Sequence, residues 1–138
     1  MDYRKYYYKR FWGHLFSMPF IWLPLPFLLI SDLVMELYQQ ICFPVYGIAK
    51  VKRKDYILIR DRNKLKYLYG FEKLGCMYCG YANGVIAYWR EIAGRPEKYW
   101  CGIMHENKPG FKTQEHQIQQ NFSVFGDEKD FKEKYPDN

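Results

Sequence analysis

Between Phe11 and Ile30 the chain carries twenty consecutive residues without an Asp, Glu, Lys or Arg, and only His14 and Ser17 among them are clearly polar. A helix of about 20 apolar residues is as long as the ~30 Å hydrocarbon core of a bilayer is thick, so this run limits the fold more than any other feature. It is interrupted at Pro19, Pro24 and Pro26. Each proline lacks a backbone donor and clashes with the preceding turn, which predicts a bend instead of a straight helix. A second segment, Leu33 to Ala49, sets Asp32, Glu36, Gln39 and Gln40 on roughly one side of an otherwise apolar helix. The two segments together predict an N-terminal apolar helical hairpin.

The flanks give that hairpin a location. Arg4, Lys5, Lys9 and Arg10 precede it, and Lys50, Lys52, Arg53 and Lys54 follow it. Lys and Arg resist translocation, so basic residues at both ends favour both ends facing the cytoplasm. A hairpin dipping into one leaflet, or a helix lying at the interface, meets this condition. Trp12 and Trp22 suit the headgroup level, where an apolar ring and a polar tip are both accommodated. Arg10, Trp12, Trp22, Lys50, Lys52 and Arg53 are therefore the candidate membrane-binding residues. A removable signal peptide fits poorly, because the run is broken by proline and no small-x-small cleavage site follows it.

The 138 residues are enough for one compact domain with an appendage. Three regions separate by composition: a basic and aromatic N-terminus with the apolar hairpin (1–54), a small folded unit (55–108), and a polar tail expected to be mobile (109–138). In the second region Tyr56–Ile59 reads as a short strand. A helix capped by Asp61 or Asn63 follows, with Leu65, Leu68 and Tyr69 on one face and Gly75 at its end. Another helix runs from Asn83 to Ala93. Val85, Ile86, Trp89 and Ile92 form its apolar side, and Gly94 and Pro96 close it.

Four cysteines are present, and three have metal-ligand spacing. Cys76-Met77-Tyr78-Cys79-Gly80 reads as a turn that points two thiolates at one metal. Cys101 and His105 are four residues apart, a spacing that puts both on one face of a helical turn. Cys76, Cys79, Cys101 and His105 would complete a closed tetrahedral Cys₃His site, for which Zn²⁺ is the favoured ion and Fe or an iron–sulfur cluster the alternative. A shell filled by protein leaves no open position for a substrate or activated water. Cys42 lies in the apolar segment and reads as a buried thiol. The expected fold is accordingly α+β, mostly α: a small metal-stabilised, zinc-knuckle-like domain behind the hairpin.

The Cys76–Tyr81 segment resembles the first metal knuckle of rubredoxins, although the second knuckle is absent. Cys101 with His105 resembles the end of the membrane-anchored CDGSH iron–sulfur motif. More broadly, Cys79-Gly80-Tyr81-Ala82-Asn83-Gly84, followed by Tyr99-Trp100-Cys101 and a histidine, is similar to a family of small uncharacterised bacterial membrane-associated proteins. That resemblance implies an apolar N-terminus and brings no activity.

No Ser-His-Asp or Cys-His-Asn arrangement is recognisable, and the Asp32 and Glu36 pair reads as the solvated face of an amphipathic helix, so no catalytic residue is assigned and the enzyme question stays open. The net charge of +6 attracts anions. The cations bracket the apolar segment instead of lining the expected metal domain, which favours an anionic membrane surface over nucleic acid. Tyr88, Arg90 and Glu91 fall on the polar side of the second helix and are candidate contacts to a protein partner. The sequence thus points to a membrane-associated metal-binding protein on the cytoplasmic face, an accessory or assembly subunit of a membrane complex. The alternative is a rubredoxin-like or iron–sulfur electron carrier.

Overall fold

The computed structural model of the chain describes residues 10–136. Their order is α1 (Phe11–Trp22), α2 (Pro24–Tyr46), 3₁₀ turns at Arg53–Asp55 and Arg62–Lys64, α3 (Gly70–Trp100), α4 (Glu115–Gln119) and α5 (Glu128–Lys134). Among the described residues there is no strand, only an isolated parallel bridge between Ile103 and Ser123. The α+β expectation is therefore corrected to an α fold. Tyr56–Ile59 forms no strand: Tyr56 is right-handed helical with its N–H on the Arg53 carbonyl, and the segment is laid along a helix and not beside another strand.

The hairpin is also corrected. Leu23, between α1 and α2, stays right-handed helical (φ −54°, ψ −38°), and its N–H reaches the Pro19 carbonyl at 2.9 Å. Pro24 stands at the start of α2 and Pro26 in its first turn, where the missing donors would have had no partner. Pro24 and Pro26 are thus absorbed at a helix start, Pro19 lies inside α1, and Phe11–Tyr46 forms one 36-residue helical stretch, about 54 Å long at 1.5 Å per residue. Gly47, left-handed at φ +67°, ends it with its N–H on the Phe43 and Pro44 carbonyls.

Contacts between the Phe11–Tyr46 stretch and α3 climb in step. Trp22 packs on Tyr78, Asp32 meets Tyr81, Gln39 meets Tyr88, and Tyr46 stacks on Tyr99 at 4.8 Å. The two helices are therefore parallel, and the connection between them must return along their full length. It does so against α3. The Ala49 carbonyl accepts from Arg95, Val51 is buried, and the backbone of residues 56–59 lies over Gly84 and Gly80. A Cβ at Gly80 would be 2.7 Å from the Leu58 carbonyl oxygen, and one at Gly84 2.7 Å from that of Tyr56. The glycines after the cysteine pair thus serve backbone packing. Phe43, Val51, Tyr88 and Ile92 form the core, with Met35, Tyr38, Ile48, Tyr56, Ile57 and Trp89 around it.

α3 continues past Gly94 and Pro96 to Trp100. The segment expected to be a mobile tail packs on this distal end. Gln117, Phe122 and Ser123 are buried, Glu97 holds both His116 and Gln117, and Lys98 donates to the Gln120 carbonyl. Asp127 caps α5 through the amides of Lys129 and Asp130.

Candidate functional site: the apolar rod and its polar clamp

The long helix α3 keeps the proposed metal ligands apart. Cys76 and Cys79 lie within it and Cys101 caps its far end, so about 33 Å of helix separates Cys79 from Cys101 at 1.5 Å per residue. Beyond Cys101 the chain turns at Gly102 (φ +63°) and is no longer helical, so the four-residue spacing to His105 does not place both side chains on one helical face. The His105 ring instead packs edge-on against Phe111 at 5.4 Å. No group of three or more His, Cys, Asp or Glu is arranged to hold a metal among the described residues. The metal-stabilised, knuckle-like domain is therefore corrected. The Cys76–Gly80 segment is helical, which aims its thiols sideways from a rod instead of inward from a turn. All four cysteines are unpaired, with Cys79 and Cys101 exposed and Cys42 and Cys76 half-buried. A Zn²⁺ or iron centre does not fit this donor set.

What the structure does bring together is a polar cluster between α2 and α3. Asp32, only 7% exposed, is gripped by the Arg53 guanidinium, with Nη1 to Oδ1 at 2.7 Å and Nη2 to Oδ2. The Tyr81 hydroxyl donates to Asp32 Oδ2 at 3.0 Å. One turn along α2, Glu36 Oε2 accepts from the Tyr88 hydroxyl at 2.6 Å. Gln39, 1% exposed, donates to the Tyr88 hydroxyl oxygen and accepts from the Val51 amide at 2.9 Å. The Arg53 guanidinium also sits over the Tyr88 ring, 5.6 Å from its centre.

Electrostatics follow from these contacts. The hydrogen bond to Asp32 holds the Arg53 pKa above its ordinary value. Burial, then hydrogen bonding to Asp32, pushes Tyr81 up to about 12. Burial, then hydrogen bonding to Glu36, does the same to Tyr88, again to about 12. Both tyrosines therefore stay neutral donors and both carboxylates are occupied as acceptors. The arrangement is a clamp that fixes helix register, with neither carboxylate free for proton transfer.

The candidate membrane residues divide. Arg10 and Trp12 are exposed at the start of α1, and Trp22 packs on Tyr78 with ring centres 4.8 Å apart. Lys50 and Lys52 are exposed, while Arg53 turns inward to Asp32. The candidate partner contacts divide too. Tyr88 is fully buried, because the buried side of α3 follows Tyr81, Val85, Tyr88 and Ile92, and Ile86 lies outside it at 55% exposure. Arg90 and Glu91 instead line an open groove of about 620 Å³ with Tyr56, Ile86, His116 and Gln119.

The cluster was visible in the sequence only as half a pattern. The acids and amides of α2 were read as facing water, although Tyr81 and Tyr88, seven residues apart, offered two hydroxyls on one helical face. On the opposite side the rod is bare. Phe11–Tyr46 is long and apolar enough to cross a membrane, and α1 contains no buried residue. No protein-family model matches the chain, and no curated protein and no solved structure matches it either.

Proposed function

We propose that α1 anchors this chain in a membrane and that the clamped α2–α3 unit is a platform carried at the membrane surface, serving as an accessory subunit of a membrane complex. The observation that carries the reading is α1 itself. Apart from His14 and Ser17 its twelve residues carry no polar side chain beyond the tryptophan N–H groups, and none is buried against the rest of the protein. In water such a surface costs about 25 cal/mol for each Å² left uncovered, and monomeric soluble proteins do not keep apolar patches of this extent open. The basic residues favour the cytoplasmic side for the platform. Eight Lys and Arg lie from Lys50 to Lys66, against four before Phe11. The groove beside Arg90 and Glu91 is the natural seat for a protein partner in this reading.

The test is extraction of the full-length chain from native membranes. It should resist high salt and alkaline carbonate and yield to detergent, and its intact mass should include the whole of α1. Leu15→Lys with Met18→Lys replaces two exposed apolar side chains in α1. At about 3 kcal/mol for each cation placed in lipid, the double variant should lose its membrane fraction more than tenfold. Release of the wild type by carbonate, or an N-terminus removed within α1, would overturn the anchor.

A further inference from the structure

The exposed side of the rod has a pattern that lipid alone does not require. Beginning at Phe16, apolar residues recur at alternating steps of four and three: Phe16, Phe20, Leu23, Phe27, Ile30, Val34, Leu37 and Ile41. These are the d and a positions of an unbroken heptad register. All eight are more than half exposed, from 52% at Leu37 to 74% at Phe16. In the same register Asp32, Gln39 and Tyr46 occupy f, directly opposite, and these are residues that contact α3. The seam is therefore the face of the rod turned away from the rest of the chain.

We infer that this seam binds a second copy of the same chain as a parallel two-stranded helix pair, an inference that rests on the membrane anchor proposed above. Three observations favour a copy over lipid. From Phe16 to Ile41 the seam rises about 38 Å, longer than the ~30 Å hydrocarbon core. Its C-terminal part shares α2 with Gln40, hydrogen-bonded to Lys50, and with Asp32, paired to the 43%-exposed Arg53 side chain. Those charges belong at headgroup or water level, and there Val34, Leu37 and Ile41 need a protein cover.

The residue types match as well. Val34 and Ile41 are β-branched at a, with Leu37 at d between them, the combination that favours two strands. Ser31, Leu33, Tyr38 and Gln40 at the flanking e and g positions carry no charge to repel a copy. In area, eight such side chains at roughly 100 Å² each give about 800 Å² per copy, which is the size of a standard stable interface. Two chains anchored in one bilayer with one orientation bring their seams together in parallel, a meeting a and d meeting d.

The experiment uses full-length protein in native membranes, with Cys42, Cys76, Cys79 and Cys101 replaced by Ser. Single cysteines are placed at Val34, Leu37 or Ile41 in the seam, and at Leu29, which is exposed at position c away from it. Mild oxidation should give dimer-sized product at the three seam positions and at least tenfold less at Leu29. Leu37→Asp with Ile41→Asp should convert the detergent-extracted dimer to monomer by light scattering, with unchanged helicity and membrane retention. Equal cross-linking at Leu29, cross-linking to a different protein alone, or a monomeric wild type would overturn the pair. Dimers recovered from the soluble fraction would instead overturn the anchor and leave the pair standing.

Discussion

At Gly84 a single added carbon would sit 2.7 Å from the Tyr56 carbonyl oxygen and 3.0 Å from the Ile57 Cα. Neither atom belongs to a side chain that can swing away, so the returning segment must lift off α3. Gly84→Ala is expected to destabilise the fold by about 2–3 kcal/mol. Gly75→Ala is the contrast: nothing lies within 4 Å of the new atom, and replacing a mid-helix glycine should gain about 0.5–1 kcal/mol. Thermal unfolding in detergent, followed by circular dichroism, checks both signs. Around Asp32, Arg53→Met removes the cation from a nearly buried carboxylate. Because the Arg53 side chain is 43% exposed, the cost should fall below that of a fully buried pair, at about 2 kcal/mol. Adding Asp32→Leu should recover much of it in a double-mutant cycle. The two tyrosines set an alkaline limit. Their pKa values are raised in the fold to about 12, from about 10 in an unfolded chain. Their contribution is therefore complete below about pH 10 and is lost as pH rises towards 12. Tyrosinate absorbance and helicity should change together in that window, and in Tyr88→Phe the tyrosinate step should shrink.

At the scale of elements, the sequence was most readable where periodicity was long and least readable where a residue type has two uses. The apolar helix was evident from composition. Its unbroken course was not, because Pro24 and Pro26 look the same in sequence whether they break a helix or begin one. The helix after Asn83 was seen, but α3 was cut at Gly75 and Gly94. Those glycines read as stops, and α3 passes through both. Counting tyrosine as polar turned the buried face of α3 away from Tyr88. The cysteine spacing misled for a related reason: C-x-x-C followed by glycine describes a metal turn only if the chain turns, and here Gly80 is needed to let residues 58–59 cross the helix. The consequence is testable on the element. Incubation with a strong chelator should leave the thermal midpoint and helicity unchanged. Cys79→Ser and Cys101→Ser, both at exposed positions, should each stay within about 0.5 kcal/mol of the wild type. A chelator-induced loss of helix would restore a structural metal.

At the scale of the whole molecule, one end of the chain is apolar and uncovered, while the other is polar and closed on itself. The distal end is tied by Glu97 to His116 and Gln117, by Lys98 to Gln120, and by the Ile103–Ser123 bridge, so residues 102–136 brace α3 and do not trail from it. Under the proposed anchor this polarity sets an inside and an outside. With the hairpin gone, the two basic flanks can no longer both be explained by a chain that returns to its starting side. The eight cations from Lys50 to Lys66 then outweigh the four before Phe11, a bias that under the proposed anchor favours the cytoplasmic side for the platform. Cys79 and Cys101 report on the outcome because both are exposed on the platform. In the cytoplasm they remain reduced thiols; across the membrane they would meet an oxidising compartment. A membrane-impermeant maleimide applied to intact spheroplasts should therefore leave both unlabelled, and permeabilisation should label both. Cys42 and Cys76, half-buried against the rest of the protein, should react more slowly. Labelling of Cys79 and Cys101 before permeabilisation would place the platform outside and reverse the orientation of the anchor, while the clamp and the heptad seam would be unaffected.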